Sequence, residues 1–457
     1  MQAKVGLGVI AVLFVALCAL FIEATPYREG GVLMRQGRTP AKDIGAPDER
    51  QHANYIARLM HGKGLAVLEP NDPNLYENYQ AHQPPLYYVL GAGFASVVGA
   101  NPETETGARL RWLNVLLGLA TIYGLYRFAV IAFEDEAVGL AAAAFGAGLP
   151  MSVALHSAVS NDPLLFCLCT YAMVGLAKIV RQPTERGGYL LYAVSAGLAM
   201  YTKSSAIMLL PIGALAGYLA GGERRWIRAV VLGAVPLLLA APWLVRNATL
   251  YGDPLGQTVF TRAFQGSPQA SDFINDLGAS TYWFNWVGWT TARSMVGVFG
   301  YMDIYTLELS GAKASDTYYR LAIALLLGLA LFGGVSALRA KEGDRRIHWL
   351  NLALGGVAFL LFLRFNAQYY QAQARYLLPA LPAIATAIAF GATSLLKSKR
   401  EYAWAALLAV LTLFTWLSYQ TLGPAFDIRT RATARNQTNG TEVTMTPLAG
   451  VLRPEQC

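Results

Sequence analysis

Two motifs, Pro47-Asp48-Glu49-Arg50-Gln51-His52 and His82-Gln83-Pro84-Pro85-Leu86-Tyr87-Tyr88, lie in a polar stretch between apolar segments. The rest of the chain is strongly apolar: 55% of its 457 residues are hydrophobic and only 14% are charged. A soluble domain has about a quarter of its residues charged. The composition therefore indicates a membrane protein with several spans, and it makes the carboxylates and histidines of the polar stretch candidate functional residues.

Long apolar runs make up most of the sequence. A helix of about 20 apolar residues crosses the hydrocarbon core of a bilayer. On this basis we predict an all-helical membrane protein with eleven spans, near residues 5–22, 110–131, 137–155, 163–180, 188–201, 205–220, 227–244, 318–338, 347–364, 376–396 and 402–420.

Basic residues orient these spans. The apolar run Leu86–Ala100 is marginal for a crossing. If it lies at the interface and the N-terminus is cytoplasmic, the later basic clusters all face the cytoplasm, as the positive-inside rule favours. If it crosses, they all move outside. We therefore predict a cytoplasmic N-terminus and an external C-terminus, with four clusters inside: Lys178/Arg181/Arg186, Arg224/Arg225/Arg228, Arg339/Lys341/Arg345/Arg346 and Lys397/Lys399/Arg400.

This topology gives one membrane domain, residues 1–420, with its polar segments on the external face. These segments are a first loop (23–109), a second loop (246–317) and a tail (421–457). The aromatic segment Thr281–Tyr301 is predicted to lie at the interface, and the alternative is a twelfth span. The net charge of +8 comes from short clusters between spans. It therefore indicates contact with membrane lipids and not with nucleic acid.

The acidic pair Asp48-Glu49 opens a predicted helix in the first loop. Pro47 suits a first helical turn, and acidic residues there complement the helix dipole. Asp48 and His52 are four residues apart and therefore share a face. A carboxylate at this site could accept the proton of an attacking hydroxyl as a general base. The alternative is a solvated pair at a helix start.

The segment His82-Gln83-Pro84-Pro85 predicts a rigid turn, because the proline pair fixes an extended backbone and disfavours helix before it. The turn would hold His82 at the membrane surface. There, with His52 or Asp48, it could contact a metal ion or a phosphate. The alternative is a purely structural turn.

Asp162 and Lys203 are polar residues at predicted external span ends. Asn161-Asp162-Pro163 is a good helix start, so Asp162 is an N-cap, a second acid facing Asp48, or both. Lys203 lies between two short apolar runs, where a lysine must reach the headgroups or find an anion. Because this cation lies on the predicted outer side, we interpret it as a ligand of a lipid-linked phosphate.

Arg246 and Arg375 lie at two further external membrane edges. A guanidinium there can hold a phosphate through a fork of two hydrogen bonds. The alternative for each is a headgroup anchor, beside Trp243 and Tyr376 respectively. Prolines shortly after Arg375 would open the helix and line a cavity, which favours a functional role for this arginine.

Five motifs in order resemble those of the GT-C superfamily, and the resemblance runs over nearly the whole chain. Within this superfamily, the chain resembles the dolichyl-phosphate-mannose:protein mannosyltransferases and the bacterial aminoarabinose transferases of lipid A. A large group of bacterial predicted membrane proteins of unknown function is more similar still. The motifs are the two quoted first, Arg246–Pro254, Gly297–Met302 and Ala374–Pro379.

The resemblance implies an inverting transferase at the periplasmic face of the bacterial inner membrane. It would move a sugar from a polyprenyl-phosphate donor to a glycan, lipid or protein acceptor. Asp48, with Glu49 beside it, matches the catalytic acidic position and Asp162 the second one. The aminoarabinose transferases carry Glu-Lys where this chain has His82-Gln83. Lys203 or Arg375 must then supply the charge that meets the donor phosphate, or the donor differs. A histidine at this position still permits a divalent metal ion, and whether one is needed stays open.

Two other functions are alternatives to an enzyme. A transporter or flippase for a lipid-linked glycan should carry ionisable residues near mid-membrane, in inverted repeats. The polar residues of this chain instead gather on one predicted face. A structural factor of the envelope would not need Asp48. The pattern therefore favours an enzyme.

Overall fold

The protein is almost entirely helical in the computed structural model, which describes residues 2–29, 35–36, 39–40, 44–339 and 343–438. Two short antiparallel strand pairs occur, β1 (Arg35–Gln36) with β2 (Thr39–Pro40), and β3 (Val298–Phe299) with β4 (Ile304–Tyr305). The α-helices are α1 (Gln2–Ala24), α2 (Glu49–Met60), α3 (Leu75–Asn78), α4 (Leu86–Val98), α5 (Arg111–Phe133), α6 (Glu136–Gly148), α7 (Pro150–His156), α8 (Asp162–Arg181), α9 (Arg186–Met200), α10 (Leu209–Leu219), α11 (Arg225–Tyr251), α12 (Gln257–Ala263), α13 (Ala270–Leu277), α14 (Thr290–Gly297), α15 (Ala312–Arg339), α16 (Arg345–Asn366), α17 (Leu381–Leu396) and α18 (Ala403–Thr438).

Every predicted span coincides with one helix or with consecutive helices. Within the described residues, 7 helices are long and apolar enough to cross a membrane, or 8 if the bent pair of α6 and α7 is one span. One of these, Leu378–Ile428, contains the last two predicted spans with a kink at Lys399 between them. The two remaining predictions, α9 and the apolar helix Ser204–Leu219, are shorter. The helical membrane fold is confirmed.

The predicted span 137–155 is broken rather than straight. α6 and α7 meet at 63°, because the residue before Pro150 is disfavoured in a helix and Leu149 is extended. Side chains satisfy the carbonyl groups freed by the break. The Ser152 hydroxyl donates to the carbonyl of Gly146 at 2.8 Å, and Thr415 donates to Gly148 at 2.7 Å.

The two ends of the first loop meet at Arg111, the first residue of α5. Its guanidinium donates to the carbonyls of Ile22, Thr25 and Pro26 at the end of α1, at 3.1, 2.6 and 3.0 Å. The loop therefore leaves and re-enters the bundle at one point. Its helix α4 has 13 residues, about 20 Å, which is less than the roughly 30 Å of a bilayer core. This geometry supports an interfacial position for residues 86–100.

The opposite end of the bundle gathers loops that the prediction assigns to one side. Arg181 pairs with Glu134, and Arg400 pairs with Asp135. The turn at Asp344 bonds to the end of α5. Arg181, Arg346 and Arg400, which belong to three of the basic clusters, therefore share one end of the bundle, opposite to the first loop.

A close crossing fixes α17 against α15. A Cβ atom on Gly333 would lie 1.9 Å from the carbonyl oxygen of Ala387, and one on Gly391 would lie 2.2 Å from that of Leu329. Only residues without a side chain allow two backbones to approach this closely.

Two predicted segments differ in detail. The predicted tail 421–457 begins as helix, because α18 continues to Thr438, and residues 439–457 lie outside the described residues. The segment Thr281–Tyr301 forms a π-helical piece (Thr281–Trp289), then α14 and β3. Its buried Tyr282 donates to the carbonyl of Asn366 at 2.5 Å, so the segment packs on the end of α16.

Candidate active site

Asp48 lies just before α2 with its side chain turned away from the helix. Its φ of 61° is left-handed, a conformation that aspartate tolerates better than most residues. Instead of capping α2, the carboxylate accepts a hydrogen bond from the Tyr79 hydroxyl at 2.5 Å through Oδ1. Its Oδ2 pairs with Arg375 Nη2 at 2.5 Å. The left-handed turn therefore points the charge at Arg375.

Asp162, the first residue of α8, is buried and pairs with Lys203. The Lys203 Nζ donates to Asp162 Oδ1 at 2.6 Å. The neighbouring Asn161 amide donates to the carbonyl of Thr202 at 3.1 Å and to Gln83 Oε1 at 3.3 Å. The His-Gln-Pro-Pro turn, the start of α8 and the segment after α9 are thus joined around this pair.

Tyr376 brings the two cations together. The centre of its ring lies 5.1 Å from Arg375 Cζ and 5.8 Å from Lys203 Nζ. The Arg375 Nη2 also donates to the Tyr376 hydroxyl at 3.1 Å. Two cations this close repel each other, and each is balanced here by a carboxylate. We call Asp48, Arg375, Asp162 and Lys203 the charge cluster.

His52 lies beside the charge cluster and is buried, with Nδ1 2.9 Å from the Tyr88 hydroxyl. Burial lowers the pKa of His52 to about 3, so its ring is neutral at pH 7. Burial tends to raise the pKa of Asp48, but Arg375, the Tyr79 hydroxyl and His52 lower it to about 2. Asp48 is therefore ionised at neutral pH.

His82 and His52 do not combine into the predicted metal site. The His82 Nδ1 lies 2.6 Å from the carbonyl oxygen of Tyr79, and its Nε2 lies 2.9 Å from Gln83 Nε2. Burial lowers the pKa of His82 to about 4. The nearby carboxylates are already held by cations. Among the described residues, no three His, Cys, Asp or Glu side chains are placed together to hold a metal ion.

Glu49 points away from Asp48 although the two are adjacent in sequence. Its oxygens accept hydrogen bonds from Arg111 Nε and Nη2, both at 2.8 Å, and from the Val159 N–H at 2.7 Å. The Glu49 and Arg111 side chains are completely buried. Because both oxygens are occupied, this arrangement suits a structural anchor better than a proton acceptor.

Arg246 lies apart from the other two predicted phosphate ligands. Its Nη2 donates to the carbonyl of Ala66 at 2.8 Å, and its guanidinium covers the ring of Trp243 at 4.7 Å. It thereby holds part of the first loop against α11. The structure brings Lys203 and Arg375 together and uses Arg246 elsewhere.

Two buried donors at the site lack hydrogen-bond partners within the described part of the chain. They are Arg375 Nε and Gln51 Nε2. Gln51 belongs to the site because its side-chain Oε1 lies 3.1 Å from the Tyr79 hydroxyl oxygen. A buried donor without a partner is costly unless water or a ligand satisfies it. The two donors therefore point to a polar ligand beside Asp48.

Tyr79 is a site residue that the sequence does not predict. It is one of 24 tyrosines, and no motif marks it. The available signal is its place three residues before His82, since the two share the short helix Tyr79–His82. That helix brings the Tyr79 hydroxyl to Asp48.

The sequence comparisons match part of the chain to one family. Residues 82–245 match the profile of the family described as dolichyl-phosphate-mannose-protein mannosyltransferase. This range includes the His-Gln-Pro-Pro turn, Asp162 and Lys203. No curated protein matches the chain in sequence.

Solved structures resemble the chain over almost its whole length. The apo Archaeoglobus fulgidus oligosaccharyltransferase has a TM-score of 0.53 and 13% identity, over 94% of this chain and 56% of that one. Its complex with Zn and sulfate has a TM-score of 0.53 and 15% identity, over 91% and 53%. ArnT from Cupriavidus metallidurans bound to undecaprenyl phosphate has a TM-score of 0.51 and 16% identity, over 94% and 78%.

These likenesses fix the architecture. At such identities they concern the fold, and the chain spans about half the length of the oligosaccharyltransferase. The expectation from the sequence motifs is confirmed at this level. The chain is a polytopic helical membrane protein that shares its fold with the oligosaccharyltransferase and ArnT structures.

Proposed function

We infer that the protein is an inverting glycosyltransferase that moves a sugar from a polyprenyl-phosphate donor to an acceptor hydroxyl. The observation that carries this inference is the pairing of Asp48 with Arg375 next to a second pair, Asp162 with Lys203. It places a carboxylate beside two cations, which is what transfer from a phosphate to a hydroxyl requires.

Asp48 is the proposed general base. The acceptor oxygen attacks the anomeric carbon while the bond from that carbon to the donor phosphate breaks, and the phosphate leaves with the bonding electrons. The hydroxyl proton passes to a carboxylate oxygen of Asp48 as the new bond forms. The low pKa of Asp48 suits this task, because the hydroxyl becomes strongly acidic only during the attack.

Arg375 and Lys203 are the proposed ligands of the leaving phosphate. The Nε of Arg375, which has no hydrogen-bond partner among the described residues, supplies an additional donor for it. The ArnT structure solved with undecaprenyl phosphate supports a polyprenyl carrier, since the fold is shared. The role of Asp162 in this proposal is to position Lys203 through their 2.6 Å contact.

The proposed location of the reaction is the external face of a bacterial inner membrane. The support is that the charge cluster lies at the bundle end opposite to the loops that carry basic clusters, such as those of Arg181 and Arg400. The proposed acceptor is a hydroxyl of a glycan, a lipid or a protein.

Replacement of Asp48 by Asn tests the proposal. Mass spectrometry of envelope glycans should show that a strain with wild-type protein carries a sugar that a strain without the gene lacks. The Asp48→Asn strain should lack it too, although membrane levels of the variant match the wild type. The matched control is Glu103→Gln, which alters an exposed carboxylate of the same loop and should keep activity. Full activity of Asp48→Asn would exclude Asp48 as the base.

A further inference from the structure

The charge cluster is electrically balanced without a ligand. Asp48 faces Arg375 and Asp162 faces Lys203, at 2.5 and 2.6 Å. The neighbouring imidazoles do not add charge at neutral pH, because burial lowers the pKa of both His52 and His82. A phosphate that enters this site meets two cations that already have partners.

Of the two cations, Arg375 is the one whose hydrogen-bond partners a phosphate could replace. One nitrogen, Nη2, serves both Asp48 and the Tyr376 hydroxyl, while Nε is buried without a partner among the described residues. A guanidinium holds phosphate best through two adjacent nitrogens. A fork that uses Nε and Nη2 would compete directly with Asp48 for Nη2.

We propose that the donor phosphate displaces Asp48 from Arg375, so that the ion pair described here holds the base inactive until a donor is bound. This proposal rests on the proposed function and adds an order of events to it, in which the donor binds before Asp48 acts as the base. Without donor, the carboxylate is occupied by the guanidinium and the Tyr79 hydroxyl. With donor, Oδ2 is released and is free to accept a proton.

The consequence is a negative coupling between the carboxylate and the phosphate. If the phosphate weakens the contact of Asp48 with Arg375, then Asp48 must weaken phosphate binding by the same factor. Removal of the catalytic carboxylate should therefore tighten donor binding while it abolishes transfer. A carboxylate that merely positions Arg375 for the phosphate predicts the reverse.

The test is a binding measurement on the purified full chain in detergent. Geranyl phosphate, a short prenyl monophosphate, is titrated by calorimetry into wild type and Asp48→Asn, with geraniol as the uncharged control. We expect the Kd of Asp48→Asn for geranyl phosphate to fall about tenfold, within the usual range of site coupling. Glu103→Gln removes an exposed carboxylate of the same loop and should change Kd less than about twofold.

Two further variants make the result specific. Arg375→Gln combined with Asp48→Asn should lose the gain in affinity. If Asp48→Asn does not fold, Asp48→Gly replaces it, because glycine adopts the left-handed backbone of this position without strain. An unchanged or raised Kd in the Asp48 variant overturns the exchange but leaves the proposed transferase standing. Absence of geranyl phosphate binding in wild type and every variant overturns the proposed function itself.

Discussion

Asp48 and Glu49 are consecutive acids that do different work in the structure. The left-handed backbone at Asp48 sends one carboxylate to Arg375, and the first turn of α2 sends the other to Arg111. The Glu49 pair is completely buried, so loss of one partner leaves a charge in a place that water does not reach.

Replacement of Glu49 by Gln should destabilise the protein by about 3–5 kcal/mol, because Arg111 keeps its charge without a counter-ion. Thermal unfolding in detergent measures this loss. The control is Asp316→Asn, which breaks an exposed pair with Arg320 and should leave the stability almost unchanged. A Glu49→Gln protein of wild-type stability without activity would make Glu49 catalytic and not structural.

The sequence predicts all four residues of the charge cluster but not the division of roles beside it. Asp162, Lys203 and Arg375 stand out as charged residues at predicted external span ends, and Asp48 stands out because it opens a predicted helix in the polar first loop. The structural role of Glu49 cannot be predicted from the sequence, because both Asp48 and Glu49 suit a helix start. Their side chains point to different partners only because of the backbone angle at Asp48. The same holds for Arg246, whose partner is a backbone carbonyl and leaves no sequence signal.

At the scale of elements, hydrophobic runs predict where helices lie, and proline explains where one of them bends. Neither signal predicts how closely two helices approach each other. α15 and α17 meet through Gly333 and Gly391, and neither glycine differs in sequence pattern from neighbours that touch nothing. The difference arises only when the two helices pack.

Replacement of Gly333 by Ala should therefore destabilise the protein by about 1–3 kcal/mol, because the new methyl group overlaps the backbone of α17. The adjacent Gly334 has open space around it, so Gly334→Ala should be neutral or slightly stabilising, as expected inside a helix. Unfolding in detergent compares the two. Equal stability of both variants would show that the helices do not cross this closely.

At the scale of the molecule, the two ends of the bundle carry different chemistry. One end holds the charge cluster, and the other joins the basic loops to the acidic turn Glu134-Asp135-Glu136. The contacts within the chain agree with the prediction that the basic loops lie together, at the opposite end from the charge cluster. Which side of the membrane each end faces stays a prediction.

Reporter fusions check that prediction. A reporter fused after Arg186 should be cytoplasmic, and one fused after Asn161 should be periplasmic, because the basic clusters are retained inside. A fusion after Arg225, in the next basic cluster, should again be cytoplasmic. The opposite pattern at all three sites would mean that α4 crosses the membrane.

The Arg111 anchor has a consequence for the order in which the nascent chain matures. Arg111 binds the end of α1 and Glu49, and Glu49 in turn binds the amide of Val159. The contacts of Glu49 are therefore complete only after translation has passed residue 159. Before Val159 has been synthesised, Glu49 lacks the hydrogen bond from its N–H group. Protease resistance of the first loop should therefore arise only in chains long enough to include the turn before α8.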